Sequence, residues 1–238
     1  HIMVQILSAT ALDAPRAQVL EARKQFAKDL FDQLRDMSFD GVGISRETYG
    51  SGETEAMRII EELGRRSGLQ TEWDAARNLI VRLQGREHGR PVVATGSHLD
   101  SVPQGGNFDG AAGVIAGFLG LLAAQERGVP LRTIELYVLR GEESAWYGGP
   151  CYFGSRAIFG MLTDADLSSP HRDTGASLGR NMAKAGADTS AIGHAQPLRH
   201  AAEFPSWVQL HVEATPTLVA HAQPVGAVTG VRVTARRP

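Results

Sequence analysis

Alternating strand-like and helix-like segments predict an α/β layered fold, a central mostly parallel or mixed sheet with helices on both faces. Three observations carry that expectation. Val92–Thr95 and Thr133–Leu139 are nearly continuous apolar runs, the pattern of strands interior to a sheet. Between them, Gly110–Gln125 is small and apolar almost all round, as a helix packed closely on a sheet is. Finally, the residues able to do chemistry fall just after strands, where such sheets gather their ligands.

Taken in order, Pro15 marks a helix start, and Val19, Ala22, Phe26, Leu30, Phe31 and Leu34 follow as one helical stripe. Its polar face carries both charge signs, which suits a core-facing helix better than a membrane-surface one. Ser51-Gly52 opens a second helix, with Glu53 and Glu55 in its first turn, Met57, Ile60 and Leu63 inside, and Gly68 as the stop. Leu79–Leu83 reads as a strand ahead of the strand–helix–strand run above. Ser177–Lys184 reads as a helix closed by Gly186, and Trp207–Val212 and Val225–Val233 as the last strands. No internal repeat or low-complexity tract interrupts this order.

The chain has 238 residues, enough to bury a sizeable core, with 42% hydrophobic and 21% charged residues, ordinary for a soluble globular protein. A formal charge of −2 gives no reason to expect nucleic acid or an anionic membrane as partner. No apolar run reaches the ~20 residues that span a bilayer. The single cysteine, Cys151, fits a reducing cytoplasm, and its surroundings read as structural rather than nucleophilic. His1-Ile2-Met3 reads as a tag scar ahead of a native Met.

Two segments hold the chemistry: Gly96-Ser-His98-Leu-Asp100 with Gly105-Gly-Asn-Phe-Asp109-Gly110, and Gly141-Glu142-Glu143. One imidazole, two aspartates and two adjacent glutamates suit a pair of divalent ions sharing a carboxylate, with one carboxylate left for proton transfer. In extended chain, residues two apart share a face, so Asp100 can contact the His98 ring and fix its tautomer. Asp109 reads either as a helix N-cap or as a bridging carboxylate. Adjacent glutamates leaving a strand point to different sides, so one can bind metal while the other faces substrate. By spacing alone His211 reads as a strand histidine on the wet face. His88, His171, His194, His200 and His221 read as surface residues. There is no P-loop, dinucleotide glycine fingerprint or Gly-x-Ser-x-Gly elbow.

Gly96-Ser-His-Leu-Asp100-Ser-Val-Pro-Gln-Gly-Gly-Asn-Phe-Asp109-Gly110, Gly141-Glu-Glu-Ser-Ala-Trp-Tyr147, Phe153-Gly-Ser-Arg-Ala157 and Leu210-His-Val-Glu213 resemble, in order and spacing, the hydantoinase/carbamoylase branch of the M20 metallopeptidase-like amidohydrolases. That branch includes N-carbamoyl-L-amino-acid hydrolases, β-ureidopropionases and allantoate amidohydrolases. The resemblance implies a zinc-exopeptidase-like catalytic domain over residues 4–225, with 226–238 a last strand leading into a lid domain. It implies two divalent ions, zinc or manganese, cobalt or nickel. His98, Asp109 and His211 would hold one, Asp109 and Glu143 the other, with Asp109 bridging. Glu142 would be general base and then acid, and Asp100 would orient His98. The implied reaction is hydrolysis of a linear carbamoyl or ureido C–N bond by a metal-activated water, on an N-carbamoyl or ureido amino acid. A cis bond between Asp109 and Gly110 is implied as well, and a homodimer formed mainly through the lid.

The sequence departs from that family in two places. Members usually read His-Ile-Glu-Gln-Gly-Pro where this chain has His211-Val-Glu-Ala-Thr-Pro216, so Ala214 supplies no amide to substrate. The chain also stops about where relatives begin the lid, before their last histidine ligand. One metal site weakly occupied or none, and little activity from this polypeptide alone, are the corresponding expectations. The alternatives are an M20 aminoacylase or dipeptidase, and a non-catalytic α/β domain that binds metal or a partner.

Overall fold

The computed structural model describes residues 14–192 and 196–230. Its first elements are α1 (Ala14–Asp36), α2 (Ser51–Arg66), β1 (Gln70–Trp73), β2 (Leu79–Leu83), β3 (Val93–His98), α3 (Ala111–Gln125) and β4 (Ile134–Leu139). After β4 come the short helices α4 (Phe153–Ile158), α5 (Asp164–Leu167) and α6 (Leu178–Lys184), then β5 (Ser206–Val208) and α7 (Thr217–Ala220).

The sheet is mixed, in the order β1-β2-β4-β3-β5. β1 and β2 form an antiparallel hairpin, and β2 pairs antiparallel with β4. β3 runs parallel to β4 with α3 as the crossover between them, and parallel to β5 on its other side. The parallel register sets Ser97 opposite Val138 and His98 opposite Leu139, so both strands deliver their carboxyl ends to one place.

Helices cover both faces. On one, Leu30 and Leu34 of α1, Met57 and Ile60 of α2 and Val114, Ile115, Phe118 and Leu121 of α3 pack on Leu79, Val81, Leu136 and Val138. On the other, Ile158 and Phe204 cover Ile80, Ala94 and Tyr137. A separate apolar cluster around Tyr147, Phe153, Leu178 and Met182 supports the segments that follow β4.

The structure corrects several expectations. Val19 and Ala22 of the α1 stripe are exposed, because α1 packs on the core through its later turns. β1 was not anticipated: Gln70-Thr-Glu-Trp73 has too little apolar alternation, and the hairpin with β2 makes it a strand. Residues 225–230 form no strand; Val225 and Val228 are exposed, with no core to bury them. The rest of that segment, His1-Ile2-Met3 and His194 lie outside the described residues. Trp207–Val212 is strand only through Val208, after which the chain leaves β3. His171 is buried rather than at the surface. Its ring stacks on Trp146, its Nδ1 accepts the N–H groups of Asp173 and Thr174, and its Nε2 lies 2.9 Å from Glu47 Oε1. No cis peptide bond occurs among the described residues, so Asp109–Gly110 is trans.

The β1–β2 turn is built around Asp74, whose carboxylate accepts the backbone N–H of Asn78 at 2.8 Å and its side-chain amide at 2.7 Å. Burial pushes the Asp74 carboxyl up to about 6, against the pull of those Asn78 hydrogen bonds. A folded-state pKa above the ordinary value means a contribution to stability that is complete at acid pH and lost as pH rises through about 6. Between about pH 4 and pH 7, wild type is therefore expected to lose about 2 kcal/mol relative to Asp74→Asn in urea denaturation. A constant difference across that range would refute this.

Candidate metal centre

His98 ends β3, buried, and its ring is fixed from behind. Nδ1 lies 3.0 Å from the Asp100 carbonyl and 3.2 Å from Asp100 Oδ1. Both partners can only accept, so Nδ1 carries a proton, and in the neutral ring it is Nε2 that holds the lone pair. Nε2 faces Glu142 Oε2 at 3.6 Å and Asp109 Oδ1 at 3.9 Å. The contact expected between Asp100 and the His98 ring is present.

Asp109 is not the α3 cap. Gly110 holds that position, and no side chain caps the helix. Gly110 has φ +66, and a Cβ there would lie 2.6 Å from the His98 ring, so glycine allows both the turn and the close approach of imidazole.

His211 lies three residues past β5, exposed, with Nδ1 2.7 Å from the Val212 carbonyl. It reaches the centre because the chain at Leu210 lies against the start of α3. A Cβ on Gly113 would stand 2.6 Å from the Leu210 carbonyl and 2.6 Å from Ser97 Cβ. Gln209 also reaches Ser97 Oγ at 3.5 Å.

Glu142 and Glu143 follow β4 and are both partly buried. Their backbone N–H groups donate to Asp100, at 3.1 Å to Oδ1 and 3.1 Å to Oδ2, and Thr48 Oγ1 donates to Oδ2 at 2.6 Å. Asp100 therefore orients the imidazole and also anchors the glutamate segment, a second task that motif reading did not suggest.

Potential ligand atoms of His98, Asp109 and His211 lie within 4.8 Å of one another, and so do those of His98, Glu142 and Glu143. Every site residue singled out in the sequence thus gathers at one place. The second trio includes His98 and Glu142, whereas sequence comparison paired Asp109 with Glu143. Sequence reasoning missed Glu53 and Asn78, which accept the Gly141 and Arg140 N–H groups, and Thr48, which donates to Asp100. Nothing in their local pattern marks them, since their partners lie far along the chain.

Carboxylates and imidazoles crowd this place. Burial and the neighbouring Glu142 charge push the Glu143 carboxyl up to about 7, and burial raises Glu142 against the opposing pull of His98. Burial pulls the His98 imidazole down, but the Asp100 hydrogen bond and the surrounding carboxylates outweigh it and lift it to about 9. Several carboxylates and two imidazoles crowded together form a donor set that fits a divalent zinc-like ion. Beside His98, Glu142 and His211 opens a cavity of about 590 Å³, walled by Tyr137, Ile158, Phe159, Phe204 and Trp207.

The histidine–carboxylate cluster stands at the carboxyl ends of two parallel strands, where α/β sheets gather their ligands, and comparison with known proteins adds the family. The model of peptidase family M28 matches residues 78–206, more than half of the chain. The chain belongs to peptidase family M28. It is 36% identical over 190 residues to the N-carbamoyl-L-amino acid amidohydrolase of Geobacillus stearothermophilus, covering 79% of this chain and 46% of that protein. It is 31% identical over 195 residues to the allantoate amidohydrolase of Bacillus subtilis, covering 82% and 46%. A hydantoinase/carbamoylase family amidase from Burkholderia ambifaria superposes with a TM-score of 0.69 at 27% identity, covering 82% of this chain and 47% of that one. The chain spans about half the length of the curated relatives it matches. The matching model is that of M28 rather than M20, while the carbamoylase kinship reappears among both the curated relatives and the solved structures. No helix among the described residues is long and apolar enough to cross a membrane.

Two outcomes test the geometry. Asp100→Ala, which frees the His98 ring and both glutamate amides, is expected to weaken zinc binding by about 10- to 100-fold in isothermal titration. Gly113→Ala would ordinarily favour a helix by about 1 kcal/mol. Here it is expected to lower the melting temperature and weaken zinc about tenfold by displacing the His211 segment. A more stable Gly113→Ala protein with unchanged zinc affinity would contradict that account.

Proposed function

We propose that the centre hydrolyses a linear amide of the carbamoyl or ureido class, as in the hydantoinase/carbamoylase branch of the M20-like amidohydrolases. The convergence of His98, Asp109, His211, Glu142 and Glu143 at the ends of β3 and β4 carries this reading. The names of the amidohydrolase relatives supply the substrate class, an N-carbamoyl or ureido amino acid.

In this reading His98, Asp109 and His211 hold one divalent ion, and Asp109 with Glu143 contributes to a second. Such ions, when bound, polarise a carbonyl oxygen and make water more acidic. Asp100 keeps the His98 tautomer with Nε2 forward. Glu142 takes a proton from the attacking water and returns it to the nitrogen that leaves, and its raised pKa suits both directions. An N-carbamoyl amino acid would yield the amino acid, carbon dioxide and ammonia. The cavity beside the centre is of a size for a small molecule of this kind. A second reading, metal binding without turnover, is favoured by the exposure of His211 and by Ala214, whose side chain offers a substrate no hydrogen bond.

The test is ammonia release from N-carbamoyl amino acids with added zinc, manganese or cobalt. Glu142→Gln is expected to lower kcat by about 100-fold or more while leaving metal affinity nearly unchanged. Loss of metal affinity in that variant would make Glu142 a ligand rather than the base. Metal binding without ammonia release from any such substrate would support the second reading.

A further inference from the structure

We propose that Glu53 is a positioning residue for the Glu142 and Glu143 carboxylates, acting through the Gly141 amide and the Arg140 guanidinium. This rests on the reading of those two glutamates given above.

A glutamate in the first turn of a helix ordinarily stands in water, beside the positive end of the dipole. Glu53 instead turns inward from α2 and is wholly buried. Its Oε1 accepts the Gly141 N–H at 2.9 Å. Its Oε2 accepts Arg140 Nη1 at 2.6 Å and the Tyr49 N–H at 2.7 Å. Arg140 is buried too, and donates further to Thr54 Oγ1 at 2.8 Å and the Arg77 carbonyl at 3.2 Å.

An ion pair in a dry interior is a poor source of stability, because well-packed apolar side chains of similar size do as well or better. What a leucine at position 53 could not do is accept the Gly141 N–H. β4 ends at Leu139, so that amide has no strand partner, and it directly precedes Glu142. A buried amide without an acceptor moves to find one, and Glu142 moves with it. Asp100 fixes the next two amides from the β3 side, so Glu53 fixes the approach to them from the α2 side.

Two double variants separate positioning from simple stability. Both E53L/R140M and E53Q/R140M remove the buried charges, but only the second keeps an acceptor for Gly141. In E53L/R140M, amide hydrogen exchange at Gly141–Glu143 is expected to rise about tenfold or more relative to β4, and cobalt(II) affinity to fall about tenfold. In E53Q/R140M both are expected to return to within about threefold of wild type, and kcat on an N-carbamoyl amino acid to recover ahead of any change in KM. If the leucine variant does not fold, Glu53→Asp replaces it with the same expectation, since it keeps the charge but withdraws the oxygen from Gly141. Equal exchange in the leucine and glutamine variants overturns the role of Glu53. Wild-type protein that binds no cobalt(II) overturns the metal-site reading instead, and exchange at Gly141–Glu143 still decides the role of Glu53.

Discussion

Four consecutive backbone amides after β4 have no strand to pair with, and each is met by a buried side chain. The Arg140 N–H donates to Asn78 Oδ1, that of Gly141 to Glu53, and those of Glu142 and Glu143 to the two oxygens of Asp100. On the carbonyl side, Arg140, Gly141 and Glu142 accept from Gly154, Phe153 and Tyr152. Burying three such acceptors is costly unless each is satisfied, and here each is. The segment carrying both glutamates is thereby tied to the β1–β2 turn, to α2, to β3 and to α4 together. Remove this arrangement and the carboxylates lose the frame that presents them.

The parallel β3–α3–β4 unit makes the arrangement possible. Parallel register brings His98 and the end of β4 side by side, and α3 starts close beneath the imidazole because Gly110 leaves room for the ring. The apolar face of α3 then holds this corner against the main core through Val114, Ile115 and Phe118. Site geometry and core packing are therefore not separable: the helix that closes the core also fixes the distance between Asp109 and His98.

Much of this was legible in the sequence because it is local. The apolar run of β4, the all-round apolar α3 and the clustering of His98, Asp100 and Asp109 each announce themselves within a few residues. What stayed hidden depends on contacts between distant segments. Glu53 looks like an ordinary helix-start acid until Arg140 and Gly141 come to it from the far side of the sheet. His171 looks like a surface residue in a polar stretch until Trp146 covers its ring. β1 is a strand because β2 supplies the ladder, and residues 225–230, although their composition suits a strand, pair with none among the described residues. His211 divided the two kinds of reading. Alternation made it a wet-face strand residue, the family likeness made it a ligand, and the structure places it beyond the strand and beside the cluster.

β5 joins the sheet from far along the chain, Val93 pairing with Ser206, and the three-residue ladder it makes is solvent-exposed. Three exposed ladder positions hold it to β3, which makes it one of the less protected parts of the sheet. His211 travels with it. A cation shared between His98 and His211 would thus act as a clasp across the loop, and the ligand set would assemble in the same event that seats the sheet's edge.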